Sequence, residues 1–225
     1  MNSLFTYAEA IILFVAMVIA AYAAALAAAR DGTPWRGILR GGAVSLWFVV
    51  LYEAARIGAF NGRIAMGVWP LVAAMAIPPA LLAARYTRDD QTRASTSAAS
   101  LAAIQIYRLL GGGLILLAVG GAAIPAWIGL PGGLLEILTG AGGAVVGAML
   151  QRGGARARRV GWVWGAFAIG SGLFLLTMTA AMARGPTYFL TLYPLVLLPA
   201  FIVPMSVAFD LALLAKVRAM GEEAA

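Results

Sequence analysis

The chain has 225 residues, of which 63% are hydrophobic and 11% are charged, and its formal net charge is +7. Because soluble domains carry about 25% charged residues, this composition excludes an ordinary soluble domain and predicts an integral membrane protein. The absence of cysteine and histidine excludes disulfides, thiolate chemistry, Cys/His zinc sites and histidine-ligated haem.

Apolar runs of membrane-spanning length recur along the whole chain. They predict one all-α domain, residues 1–225, built as a bundle of seven transmembrane helices. The predicted spans lie near residues 9–29, 43–60, 66–84, 101–128, 134–150, 160–183 and 188–215. The first span could instead be a signal peptide, but the preceding residues have no Lys or Arg and carry Glu9, so a retained helix is favoured.

Basic residues indicate the orientation of the spans. Most of them lie in the loops 30–40, 85–100 and 152–159 and in the C-terminal tail, whereas the other side has only Arg63 and Arg184. The positive-inside rule then predicts an outside N-terminus and a cytoplasmic C-terminus. This distribution explains the net charge without a nucleic-acid partner. The Arg-, Ala- and Gly-rich composition is typical of a GC-rich bacterial genome, so we expect the bacterial cytoplasmic (inner) membrane.

Small residues at helical spacing predict close packing between helices, because lipid offers little hydrophobic drive for association. Gly143 and Gly147 form one such pair, and Gly161 and Gly165 form another. Packing within this bundle is the simpler interpretation. A surface for another subunit is the alternative.

Two prolines interrupt the last predicted span. Pro199 and Pro204 remove the hydrogen bonds that the carbonyls of Leu195 and Ala200 would accept, so we expect helix kinks there. They indicate either a bent helix that fits its neighbours, or a hinge or liganded carbonyl.

Ionisable residues inside the spans are costly and mark candidate sites. Near the outer face, Glu53 and Arg56 are three residues apart and can pair on one helix. Glu9 and Glu136 lie near the outer ends of the first and fifth predicted spans. These four residues could form an outward-facing polar cluster.

A second group lies near the cytoplasmic face. Arg108 and Asp210 are each about 9–10 Å from a predicted cytoplasmic helix end, which permits an ion pair, and Gln105 and Ser206 lie one turn before them. The pair could be a proton or ion relay. It could also fix helix register, or Arg108 could extend to lipid phosphates. We expect no ionisable residue at the membrane midplane between the two groups.

Catalytic and cofactor signatures are weak in this sequence. A retinal protein needs a lysine deep in its last helix, and the one lysine, Lys216, lies at a predicted helix end. Asp89 and Asp90 have no second acidic motif, so a solvated loop is favoured over a diphosphate site. No metal site or enzymatic activity is expected, and any cofactor is unknown.

The sequence therefore favours a non-enzymatic packing or accessory subunit of a larger membrane assembly. Its six Trp, seven Tyr and nine Phe could hold a lipid or another lipophilic ligand. Expected partners are membrane lipids and other membrane subunits or further copies of the chain. The alternative is a small transporter or channel for a proton-coupled or ionic solute, with Glu53/Arg56 and Arg108/Asp210 as outer and inner gates.

Overall fold

The computed structural model describes residues 2–31, 34–61, 69–88, 96–120, 124–182, 185 and 188–222. All regular secondary structure in these residues is helical, which confirms the all-α part of the predicted fold class. The helices are α1 (Asn2–Asp31), α2 (Pro34–Arg56), α3 (Trp69–Arg88), α4 (Ala98–Val119), α5 (Ala126–Arg152), α6 (Ala155–Met182) and α7 (Val203–Glu222). A 3₁₀ turn, Tyr188–Thr191, and a π-helical turn, Leu198–Ile202, precede α7.

Five helical stretches in the described residues are long and apolar enough to cross a membrane. They are Thr6–Leu26, Ala98–Val119, Ala126–Arg152, Ala155–Ala180 and Leu198–Met220. A hydrocarbon core of about 30 Å needs about 20 helical residues, and each stretch meets that length. The protein is therefore a helical membrane protein.

The boundary between α4 and α5 differs from the sequence prediction. The predicted fourth span ran to residue 128 and the fifth began at 134, whereas α4 ends at Val119 and α5 begins at Ala126. Pro125 precedes α5 with φ −55° and ψ 135°, outside the helical region. Hydropathy does not reveal this break because apolar residues flank it on both sides. Glu136 consequently lies well inside α5 and not at its end.

The chain divides into two compact units. Unit 1 comprises residues 1–78 and 175–205, and unit 2 comprises residues 79–174 and 206–225. Unit 1 contains α1 and α2, and its buried core includes Ile19, Leu51 and Phe201. Unit 2 contains α4 and α5 with most of α6 and α7. The single transmembrane domain of the sequence analysis remains a prediction.

Glycines bring the helix backbones of unit 2 close together. A Cβ atom on Gly143 would lie 2.5 Å from the Ala102 carbonyl oxygen, and one on Gly147 would lie 2.9 Å from that of Ala99. Only glycine permits this approach of α5 to α4. Gly161 and Gly165 likewise face side chains within unit 2, those of Leu150 and Leu214 respectively. Both predicted pairs therefore pack inside the bundle.

Two of the three prolines in the last predicted span lie at a change of helix type. Pro199 belongs to the π-helical turn, and Pro204 is the second residue of α7. Pro199 has no N–H to donate to the Leu195 carbonyl. That carbonyl instead accepts a hydrogen bond from the Leu198 amide at 3.1 Å. The continuous helix predicted over 188–215 is thus replaced by short turns followed by α7.

Candidate functional site

Polar side chains from four helices meet in the interior of unit 2. We call this group the Arg108 cluster, and its members are Gln105, Tyr107 and Arg108 of α4, Glu136 and Thr139 of α5, Ser171 of α6, and Ser206 and Asp210 of α7. All are buried, and Gln105 and Asp210 have no exposed surface. Buried charges require hydrogen-bonded partners, so the pairing within this cluster determines its chemistry.

Arg108 contacts both carboxylates, but unequally. Its Nε and Nη2 atoms donate to Glu136 Oε2 and Oε1 at 3.0 and 2.6 Å. Nη2 also donates to Ser171 Oγ at 2.8 Å. By contrast, Nη1 reaches Asp210 Oδ2 at 3.3 Å. Two-point contacts between guanidinium and carboxylate are among the strongest hydrogen-bonded pairs in proteins, so Glu136 is the principal partner of Arg108.

Asp210 has a second set of contacts through α4. Gln105 Nε2 donates to Asp210 Oδ1 at 2.8 Å and to the Ser206 carbonyl at 3.2 Å. The Ser206 and Tyr107 hydroxyls are 2.6 Å apart and form another hydrogen bond. Gln105 and Ser206, which lie one turn before Arg108 and Asp210 in the sequence, thus join that predicted pair, and all four residues lie together.

Local helix geometry explains why α4 supplies several members of the cluster. Residues 104–112 form a 3₁₀ helix, in which residues three apart lie one above the other. Gln105, Arg108 and Gly111 therefore share one face. Gly111 completes this face, because a Cβ atom there would lie 2.5 Å from Glu136 Cβ. Its missing side chain leaves room for the Arg108–Glu136 pair.

The charged members lie at the middle of their helices. Arg108 is ten residues after the start of α4, Glu136 is ten residues after the start of α5, and Asp210 is twelve before the end of α7. At 1.5–2.0 Å per residue these separations are about 15–20 Å. These helices extend beyond the hydropathy bounds, so Arg108 and Asp210 lie farther from the helix ends than the expected distance of about 9–10 Å. The expected absence of ionisable residues from the membrane midplane stays a prediction.

Glu9 belongs to a different group, in unit 1. Its carboxylate accepts hydrogen bonds from the hydroxyls of Tyr52, at 2.8 Å, and Tyr193. The two tyrosine rings pack edge to face with centroids 5.6 Å apart. Glu53 and Arg56 form the predicted pair at 3.2 Å, and both side chains are more than half exposed. Glu136 does not join the outward-facing group predicted for it, because it pairs with Arg108.

The Arg108 cluster has an uneven number of charges. Counted with both carboxyl groups ionised, the cluster has one positive charge, on Arg108, and two negative charges, on Glu136 and Asp210. Among the described residues of the cluster, one negative charge is then uncompensated in a buried site. Such a charge is costly in a medium of low dielectric constant unless it binds a proton or a cation.

Comparison with known proteins gives one match. Residues 63–218 match the domain of unknown function DUF8737. The chain belongs to the DUF8737 family. No curated protein and no solved structure matches the chain. The DUF8737 region contains the whole Arg108 cluster, whereas Glu9, Tyr52 and the Glu53–Arg56 pair lie before it.

Some residues of the DUF8737 region were not singled out by sequence reasoning. Tyr107, Thr139 and Ser171 belong to the cluster but have neutral hydroxyl groups, which are common on membrane helices for packing reasons. Position along the helix could have indicated two of them, because Thr139 and Ser171 lie near the middle of their helices, as Glu136 does. In unit 1, Tyr52 and Tyr193 were also missed as partners of Glu9.

Proposed function

We propose that the chain is a small proton transporter of the membrane, in which Asp210 takes up and releases the transported proton. The observation that carries the proposal is the uncompensated negative charge of the Arg108 cluster. Protonation of the Asp210 carboxylate changes the charge of the cluster from −1 to zero. Arg108 pairs at two points with Glu136, so Asp210 is the acid with the weaker interaction with the guanidinium.

The position of the cluster supports this role. Ionisable residues inside membrane helices commonly mark ion pathways, and transporter sites lie near mid-membrane beside irregular helix segments. The α4 members of the cluster lie within the 3₁₀ segment, and Ser206 lies four residues after the π-helical turn before α7. Both are departures from α-helix that recur at functional sites.

The proposed topology has seven spans, with the N-terminus outside and the C-terminus in the cytoplasm of a bacterial cell. It includes α2 and α3 as spans, and it is supported by the positions of the arginines along the sequence. Reporter fusions at the loops near residues 33, 62, 91, 122, 153 and 185 test it. Alternating sides are expected, and two successive loops on one side would contradict it.

Proton flux into liposomes tests the transport proposal. Purified protein is reconstituted into liposomes that contain a pH-sensitive dye, and an imposed pH gradient is followed while potassium and valinomycin hold the membrane potential at zero. We expect the gradient to collapse faster than in protein-free liposomes, and Asp210→Asn to remove this difference. Asp89→Asn, which changes a carboxylate of the loop 85–100 outside the proposed gates, is the control and keeps the wild-type rate. Equal rates for wild-type and protein-free liposomes would contradict the proposal.

A second candidate is the packing or accessory subunit of a larger membrane assembly, with a bound lipophilic ligand. It is supported by the complete burial of Arg108 and Asp210, because a pair that only fixes helix register needs no contact with water. Purification in a mild detergent, followed by mass spectrometry of bound proteins and lipids, tests it. A stoichiometric partner that is lost in Asp210→Asn, together with no proton flux, would favour this role.

A further inference from the structure

The Gln105 side chain forms only some of the hydrogen bonds that its amide group can make. Its Nε2 atom donates to Asp210 Oδ1 and to the Ser206 carbonyl. Its Oε1 atom is buried and has no hydrogen-bond partner in the described part of the chain. An unsatisfied buried acceptor costs free energy, so Oε1 would gain from one more donor, and no hydrogen bond to it opposes a turn of the amide.

Asp210 can supply that donor. The carboxylate accepts hydrogen bonds and has none to donate, but a protonated carboxyl group has one O–H that needs an acceptor. The other groups around Asp210 cannot accept it equally well. Arg108 has donors only, the Glu136 oxygens are occupied by Arg108, and the Ser206 hydroxyl is bonded to Tyr107. Gln105 Oε1 is the free acceptor of the group.

We propose that Gln105 is a positioning residue that responds to the protonation state of Asp210. In the structure Nε2 donates to Oδ1, and we assign this arrangement to the ionised state of Asp210. When a proton binds to Asp210, the amide turns about its last side-chain bond, and Oε1 accepts the new O–H. This inference rests on the proposed function in taking Asp210 as the proton-binding residue.

The turn of the amide has a consequence for α7. Gln105 Nε2 leaves the Ser206 carbonyl when Oε1 replaces it, so the 3.2 Å hydrogen bond from α4 to the α7 backbone breaks. The Tyr107–Ser206 bond remains and keeps the two helices together. Proton binding thus removes a link between α4 and Ser206, which lies four residues after the π-helical turn.

The other charged and titratable groups around Asp210 are Arg108 and Tyr107 on α4 and Glu136 on α5, while α6 contributes the neutral Ser171. Arg108 stays protonated throughout the accessible pH range, and Glu136 is held by it at two points. A single protonation step at Asp210 is therefore expected to govern the state of Gln105.

Nuclear magnetic resonance of the glutamine side chains tests the inference. The chain has three glutamines, Gln91, Gln105 and Gln151. In protein labelled with side-chain ¹⁵N-glutamine, a Gln91→Asn/Gln151→Asn variant leaves only the Gln105 amide signals and changes no member of the Arg108 cluster. The Asp210 carboxyl is followed in parallel with ¹³C-aspartate, and Asp210→Asn identifies its signal.

We expect the Gln105 amide signals to shift on acidification with the same midpoint as the Asp210 carboxyl signal, and the shift to be lost in Asp210→Asn. A Gln105 signal that stays constant while Asp210 titrates would overturn the inference. An Asp210 signal that does not titrate would also overturn it. The outcome is independent of transport, because both titrations are read without a gradient. Correlated shifts without proton flux would reject only the proposed function, and flux without a Gln105 shift would reject only this inference.

Discussion

At the scale of single residues, Arg108 determines how the buried charges are divided. Its guanidinium makes two short hydrogen bonds to Glu136 and one longer contact, 3.3 Å, to Asp210. A guanidinium carries one charge and can neutralise one carboxylate. Asp210 therefore takes a further hydrogen bond from Gln105, and under the proposed function a bound proton neutralises it.

This division predicts different stability effects for the two acids. Glu136→Gln removes two charge-assisted hydrogen bonds and should lower the free energy of unfolding by about 1–3 kcal/mol. Asp210→Asn removes the surplus charge and should cost less. Unfolding in detergent micelles, followed by helix circular dichroism, measures both, with Glu53→Gln on the exposed pair as a control. An Asp210→Asn variant less stable than Glu136→Gln would contradict the division of charge.

At the scale of helices, the contact between α4 and α5 places Arg108 against Glu136. The 3₁₀ segment of α4 aligns Gln105, Arg108 and Gly111 on one face. On the facing helix, a Cβ atom at Gly140 would lie 2.8 Å from the Leu109 backbone nitrogen. Gly111 and Gly140 set the distance between α4 and α5, and that distance allows the bidentate pair of Arg108 and Glu136.

Two neighbouring glycines of α4 allow a matched test of this contact. A Cβ atom on Gly111 would lie 2.5 Å from Glu136 Cβ, whereas one on Gly113 would meet nothing within 4 Å. Gly111→Ala should cost about 1–3 kcal/mol through overpacking, and Gly113→Ala should be neutral or slightly stabilising. Thermal unfolding of both variants measures the difference. Equal melting temperatures would show that Gly111 does not control the approach of α5.

At the scale of the whole molecule, polarity is distributed as expected for a membrane protein. Unit 2 buries its charged cluster and leaves large apolar side chains exposed, among them Leu116 on α4 and Trp162 and Val163 on α6. In water such a surface would promote association. In a bilayer it contacts lipid chains, and the buried charges are the costly feature that needs a functional explanation.

The sequence was sufficient to predict the membrane environment, the helical fold class and the association of Arg108 with Asp210, Gln105 and Ser206. Composition and helical spacing were sufficient for these. The predicted position of Glu136 was wrong. The start of α5 after Pro125 lies between apolar residues, so the hydropathy profile does not show it. The 3₁₀ segment of α4 could not be predicted either, because it is defined by local hydrogen bonding and not by hydrophobic periodicity.

The infrared difference spectrum between neutral and acidic pH is the most direct test of the surplus charge at Asp210. The spectrum is recorded on membranes that contain the protein labelled with ¹³C-aspartate, which separates aspartate from glutamate bands. We predict an isotope-shifted carboxylic-acid C=O band that appears on acidification and is missing from Asp210→Asn. An unchanged band in Asp210→Asn, or no aspartate band from the wild-type protein, would contradict the assignment of the proton to Asp210.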